Sequence, residues 1–168
     1  MCGISGIIYK NKHAEKEDIL KMLSVQKHRG PDGSNYLVRD NIAIGHNRLA
    51  IIDIELGIQP MCDIDLNNYI TFNGEIYNFR NLKNQLISLG YKFKTKSDTE
   101  VIIVAYKHWG ISAFNKLRGI FAFSIIDFKK KRMYSVRDTH GIKPLIYYEN
   151  DDLFIFASEI NTIKAITL

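Results

Sequence analysis

Apolar positions recur along this chain with two periods, about two residues and about 3.6, and the switches between them mark out its elements. Residues 6–9 form a short apolar run that predicts a strand almost at the N-terminus, where it would hold residue 2 against a sheet edge. From about 17 to 27 the period becomes helical, with Ile19, Leu20, Met22 and Leu23 on one face. Arg29-Gly30-Pro31-Asp32-Gly33 then supplies turn chemistry. Residues 35–38 and 42–46 read as a hairpin across Arg39-Asp40-Asn41, and 49–52 and 68–72 as further strands. Asn78 suits the N-cap of a second helix with Phe79, Leu82 and Leu86 on its buried face and Gly90 at C′. Ser97 or Asp98 caps a third helix, which is apolar all round from Val101 to Ala105 and so is expected to be deeply buried. Gly110 ends it, and a short helix is expected to about Leu117. Residues 120–127 with 132–137, and 145–148 with 153–157, read as two hairpins, and Ser158 as the cap of a final short helix.

Strands gather at both ends and helices between them. This suggests an α+β fold in which two antiparallel sheets pack together with helices outside, a four-layer α/β/β/α sandwich. The same periodicity also allows a two-layer α+β domain. No repeat or Pro/Gly/Ser linker divides the chain, so residues 1–168 are read as one domain.

Composition narrows the picture. Apolar residues make up 46% of the 168, enough for a core, and charged residues 24%, so a disordered chain is excluded. No apolar run approaches the ~18 residues that span a membrane, and the start does not read as a signal peptide, so no membrane partner is expected. Two cysteines, Cys2 and Cys62, give no disulfide framework; a reducing, cytoplasmic compartment is expected. The net charge of +5 is densest at Lys129-Lys130-Lys131-Arg132, between two strand-like runs. That cluster reads as a solvated turn, and without interleaved aromatics no nucleic-acid partner is expected. His28, His46 and His140 are too separated for a metal site, and no metal is expected.

The second residue carries the candidate chemistry. Once Met1 is removed, Cys2 presents a thiol and a free α-amine on one residue, a nucleophile and a base together. With Met1 attached that nitrogen is an amide and cannot serve as the base. On position alone, Cys2 is equally an ordinary residue near a terminus. Taken singly, Asn73-Gly74 is a tight turn, Arg48 a surface charge and Asp98 a helix cap.

Together with their neighbours they form an ordered series. Met1-Cys2-Gly3-Ile4-Ser5-Gly6 is followed by His28-Arg29-Gly30-Pro31-Asp32-Gly33 and Gly45-His46-Asn47-Arg48-Leu49-Ala50-Ile51-Ile52-Asp53. Then come Gln59-Pro60-Met61, Phe72-Asn73-Gly74-Glu75-Ile76-Tyr77-Asn78, Ser97-Asp98-Thr99-Glu100, Phe121-Ala122-Phe123, and Arg137 through Leu145. These blocks resemble the glutaminase domain of class II, N-terminal-nucleophile amidotransferases, most nearly the asparagine synthetase branch, over nearly the whole chain.

The resemblance implies the four-layer N-terminal-nucleophile fold, L-glutamine as substrate and a thioester on Cys2. It implies an oxyanion hole of the Asn73 side chain and the Gly74 N–H, whose role is to meet charge as it develops. Arg48 would grip the α-carboxylate of glutamine with its planar fork. Asp98 would pair with the α-ammonium, assisted by Gly74 and Glu75, with Ile51 and Ile52 also in the substrate site. The Cys2 amine would move protons through a bridging water. The turn at 29–33 marks the branch and is expected to pack over the nucleophile strand. Asn47 and the Thr139-His140 pair depart from the family pattern and leave the ammonia acceptor open, an aspartate or a group such as a sugar carboxylate. A non-catalytic scaffold on the same fold is the reading from a different class. No cofactor is implied for this domain. ATP and Mg would belong to a synthetase domain or subunit whose pyrophosphate-loop motif is not in this sequence. The chain is accordingly expected to be an excised domain, with the docking face exposed as an apolar patch and a homodimer through it.

Overall fold

The computed structural model describes residues 1–50, Asp53 and 55–168. Ile51, Ile52 and Ile54 lie outside the described residues, and with them half of the strand expected at 49–52. In chain order the elements are β1 (Gly3–Tyr9), α1 (Lys16–Val25), β2 (Gly33–Arg39), β3 (Ile42–Arg48), β4 (Met61–Cys62) and β5 (Asn68–Ile76). They continue with α2 (Phe79–Ser88), α3 (Asp98–Trp109), β6 (Gly119–Asp127), β7 (Arg132–Arg137), β8 (Ile146–Glu149), β9 (Leu153–Ala157) and α4 (Ile160–Thr167).

Two antiparallel sheets result, in the orders β2-β3-β1-β9-β8 and β4-β5-β6-β7. Side-chain alternation sorts each strand into two faces. Odd residues of β1, such as Ile7 and Tyr9, join Ile19, Met22 and Leu23 of α1 and Ile163 of α4 in an outer core. Even residues of β5 and odd residues of β6, such as Phe72, Ile76, Phe121 and Phe123, pack on Leu82 and Leu86 of α2 and Val101 to Tyr106 of α3. Between the sheets lie Ile44, Phe156 and Ile126, with Ile8, Tyr69 and Leu145 against them. The four-layer α/β/β/α sandwich therefore stands, in place of the two-layer alternative.

Several caps follow the residues that called for them, and others do not. The Ser97 hydroxyl accepts the Glu100 N–H at 3.3 Å, so Ser97 rather than Asp98 caps α3. Gly90 follows α2 at φ +90°, the left-handed region open to glycine. Asn78 holds the N-cap position but makes no cap bond; its side chain instead donates to the Lys116 carbonyl at 2.9 Å and accepts the Arg118 N–H at 3.0 Å. Ser158 does not cap α4 either, for its hydroxyl is taken by the Ile4 N–H at 3.0 Å, a tertiary bond no local pattern announces. The segment expected at 110–117 is a 3₁₀ helix, and α1 ends in a 3₁₀ turn at Lys27–Arg29. Leu49 and Ala50 lie outside any strand, because β3 runs on to Arg48 and ends there.

Lys129 to Lys131 form the expected turn, fastened by the Lys130 N–H on Asp127 at 2.8 Å. An apolar groove of about 830 Å³ opens between α3 and the segment from Leu56 to Leu66, with Ile58 and Ile64 exposed along it. Among the described residues no helix is long and apolar enough to cross a membrane.

Gly6 faces the inter-sheet layer, and the Phe156 ring fills the space where a side chain at Gly6 would stand. Phe156 is fully buried there. Phe156→Ala is expected to lower unfolding free energy by about 3–5 kcal/mol in denaturant titration.

Candidate active site

The parity that builds the inter-sheet layer also places the candidate residues. Thr71 of β5 turns toward the other sheet and donates to the Gly45 carbonyl at 3.0 Å. Asn73, two residues on, faces the same way. On the opposing sheet Ile44, His46 and Arg48 point inward from β3, and Ile4 and Gly6 from β1. Gly3 pairs with Asn47, so the next step of the register sets Cys2 beside Arg48. Cys2, Arg48, Asn73, Gly74, Glu75 and Asp98 all line one pocket of about 240 Å³ at that end of the sandwich. Of the residues implied for the site, only Ile51 and Ile52 are not placed, lying outside the described residues.

The Cys2 thiol is held by the Leu49 peptide. Its Sγ accepts the Leu49 N–H at 3.4 Å and lies 3.6 Å from the Leu49 carbonyl oxygen. The Cys2 carbonyl accepts from Arg29 Nε at 3.0 Å. The 29–33 turn packs on the same end of β3: the Asp32 N–H donates to the Arg48 carbonyl at 3.0 Å, and Asp32 Oδ2 accepts the Ala50 N–H at 2.8 Å. A Cβ on Gly30 would collide with the Asn47 carbonyl, which is why this close approach takes glycine.

Backbone parity exposes the second half of the site. Phe121, opposite Gly74, spends its N–H and carbonyl on Asp138, on the β7 side. The Gly74–Phe121 pair is therefore a non-hydrogen-bonded one, and the Gly74 N–H points away from β6. β4 covers that edge of β5 only at Tyr69 and Ile70. Beyond it, side chains stand in for the missing strand. Gln59 Oε1 accepts the Phe72 N–H at 2.6 Å, and Asp98 Oδ2 accepts the Ile76 N–H at 3.0 Å. Gly74, between them, has no such partner among the described residues. A Cβ there would strike the Ile120 carbonyl oxygen. The buried Asn73 Nδ2 also has no partner among the described residues. Two donors of adjacent residues thus reach the pocket unspent.

Charge is placed on two sides of the same space. Arg48 donates to the Asp53 carbonyl at 2.6 Å, and Asp53 Oδ2 accepts the Lys96 N–H at 2.7 Å, so the cation is braced against the segment that leads into α3. Asp98 is almost fully buried. Burial pushes its carboxyl up from the usual range and nearby Glu75 adds to this, while the Ile76 N–H and its own helix amides pull the other way. A cation beside it would relieve that burial.

Several pocket residues were not singled out as site residues from sequence, among them Gln59, Lys143 and His46. Gln59 also donates to the Thr99 hydroxyl at 3.3 Å, tying the β5 edge to α3. Lys143 reaches the pocket mouth and Met1 Sδ at 3.5 Å. His46 bonds the Phe72 carbonyl oxygen at 3.1 Å. All three stand inside the ordered blocks, but the contacts that give Gln59 and His46 their roles join segments separate in the chain. Among the described residues no three His, Cys, Asp or Glu side chains come together as a metal-ligand set.

Two facing antiparallel sheets with helices on their outer sides, and the N-terminal strand in the middle of one of them, define an N-terminal-nucleophile-type sandwich. The sequence profile of the glutamine amidotransferase domain family matches residues 1–168, and the chain belongs to that family. Asparagine synthetase [glutamine-hydrolyzing] 1 of Bacillus subtilis is 43% identical over 165 residues, covering 95% of this chain and 26% of that protein. A putative asparagine synthetase [glutamine-hydrolyzing] 2 of Methanocaldococcus jannaschii is 40% identical over 185 residues, covering 99% of this chain and 35% of that one. The chain thus spans about a quarter to a third of the length of these relatives. Among solved structures, glutamine phosphoribosylpyrophosphate amidotransferase of B. subtilis superposes with a TM-score of 0.84 at 24% identity, over 99% of this chain and 44% of that one, a likeness of fold.

His46 gives a test of the layer beneath the pocket. Burial, aided by Arg48, lowers its pKa from 6.5 to about 4, against the pull of the Phe72 carbonyl. A folded-state pKa below the unfolded one means that the unfolded chain takes up the proton first, so stability is whole above 6.5 and drains as pH falls toward 4. Comparing wild type with His46→Gln in denaturant titrations across that window should show a wild-type-specific loss on the order of 3 kcal/mol.

Proposed function

We propose that this chain hydrolyses L-glutamine to glutamate and ammonia through a thioester on Cys2, and that the ammonia passes to an ATP-dependent synthetase part that makes asparagine from aspartate. Family membership and the activity for which the relatives are named support the first half. The second half rests on those relatives alone, which are glutamine-hydrolysing asparagine synthetases longer than this chain.

The observation that carries the reading is the pair of unspent donors, Asn73 Nδ2 and the Gly74 N–H, in the pocket that Cys2 also lines. Attack of sulfur on the side-chain carbonyl of glutamine puts a negative charge on that oxygen. Two fixed donors stabilise it with no reorganisation at the moment of reaction. Collapse of the tetrahedral adduct breaks the C–N bond. The leaving nitrogen takes up a proton and departs as ammonia, and water then attacks the thioester to release glutamate and restore the thiol. Arg48 and Asp98 suit the α-carboxylate and α-ammonium of the substrate, a two-point reading that rejects a simple amide. The ammonium would also compensate the buried Asp98 carboxylate. Gly74 and Glu75 flank that end of the pocket, as substrate contacts would.

The free amine of Cys2 is the proton carrier in this scheme, so the active form is the one without Met1. The Met1 side chain stands at the pocket mouth, and trimming it both frees the amine and opens the entrance. The reaction needs no group beyond these side chains and water; ATP and Mg belong to the synthetase part.

Glutamate release from glutamine by the Met1-processed protein tests the scheme. Cys2→Ala should abolish it. Asn73→Ala should lower kcat by about 10²–10³, roughly 3–4 kcal/mol of transition-state stabilisation. Cys2→Ala turning over glutamine at the wild-type rate would refute the scheme. Arg48→Lys, which keeps the charge and loses the fork, should instead raise KM for glutamine.

A further inference from the structure

We propose that Glu159 is a positioning residue for the Cys2 nucleophile, acting through Arg29; this rests on the role proposed above for Cys2. Ser158 and Glu159 follow β9, which is β1's neighbour on the side away from β3. Both turn back onto the start of β1. Ser158 grips Ile4 twice: its hydroxyl accepts the Ile4 N–H at 3.0 Å, and its N–H donates to the Ile4 carbonyl at 2.9 Å. Glu159 reaches two residues nearer the terminus through an intermediary. Its Oε1 accepts from Arg29 Nη1 at 3.0 Å, and Arg29 Nε donates to the Cys2 carbonyl at 3.0 Å.

The electrostatics make Glu159 the determining partner. The Arg29 side chain is only 9% exposed, and Glu159 is its one ion-pair partner among the described residues. Its Nη2 is buried with no partner among them. A largely buried guanidinium without a counter-charge is driven toward water. Removing the carboxylate would therefore release Arg29 from its seat and the Cys2 carbonyl from Arg29. The peptide that this bond pins is the one next to the nucleophile, so its orientation sets the direction in which both the Cys2 nitrogen and Sγ leave the backbone. Glu159 is held in its ionised form. Burial works against this, but the bonds from Arg29 and His28 outweigh it and keep its carboxyl below the usual range. His28, at 3.0 Å from the same oxygen, is largely exposed and serves the carboxylate from the solvent side.

A residue that only stabilised the fold would change the melting point and leave the kinetic constants of the folded protein alone. A positioning residue changes kcat and spares KM, because Arg48 and Asp98 still hold the substrate. In the Met1-processed chain, Glu159→Gln is expected to lower kcat for glutamine hydrolysis about ten- to a hundredfold with KM within about twofold, the scale of a misplaced reacting group. The double variant with Arg29→Gln should be no slower than Arg29→Gln alone, since the two residues act in series. An unchanged kcat, a rise in KM with kcat intact, or losses that add in the double variant would each overturn the proposal. Should Glu159→Gln not fold, as judged by circular dichroism, Glu159→Asp takes its place under the same criteria. Cys2→Ala is assayed alongside. If it retains activity, the nucleophile assignment fails and this inference with it; if it is inactive while Glu159→Gln is unaffected, the positioning role alone fails.

Discussion

β1 lies in the middle of its sheet, hydrogen-bonded to β3 along one edge and to β9 along the other. A strand held on both edges cannot rotate, and its residues must alternate strictly between the helix side and the inter-sheet side. That constraint reaches the residue before it. With Ile4 and Gly6 turned inward, Cys2 continues the inward series, level with Arg48 on β3. A one-residue slip would bury the Cys2 side chain under α1 and put Gly3 at the pocket. The register is guarded against this. Gly6 leaves just enough room for Phe156, and Ser5, on the other face, bonds Gln26 at 3.0 Å.

The opposing sheet contributes by incompleteness. β4 is two residues long, and the edge of β5 beyond it would be left as a row of unpaired groups. Gln59 and Asp98 fill the places on either side of Gly74 and leave the middle one. The site is thus a gap in a ladder, kept narrow by two buried side chains and kept open to one N–H. Asp98 has a double part, since the oxygen that fixes the β5 edge belongs to the same carboxylate that faces the pocket. This couples the shape of the donor pair to the charge that would read the substrate.

Local patterns made much of this legible. Helical spacing located α1, α2 and α3, the uninterrupted apolar run explained the burial of α3, and the ordered blocks brought Cys2, Arg48, Asn73, Gly74 and Asp98 forward together. What stayed hidden was tertiary. Ser158 has the chemistry of a helix cap and stands just before a helix, yet its hydroxyl is claimed by Ile4, 154 residues away. Asn78 has the right position for a cap and likewise spends its side chain elsewhere, on the approach to β6. β4 is too short to leave a period, and the bridging roles of Gln59 and Arg29 exist only once separate segments have met. The 29–33 turn is an intermediate case: its residues announced a turn, and the collision awaiting any Cβ at Gly30 explains why it sits so close on β3.

The proposed mechanism stands on covalent chemistry at one sulfur, and the most direct measurement is the mass of the protein caught in turnover. Met1-processed protein mixed with glutamine and quenched in acid should carry a glutamyl adduct, and peptide mapping should place it on Cys2. A preparation that retains Met1 should carry none. A protein that hydrolyses glutamine with no adduct at Cys2, or with the adduct on Cys62, would contradict this mechanism.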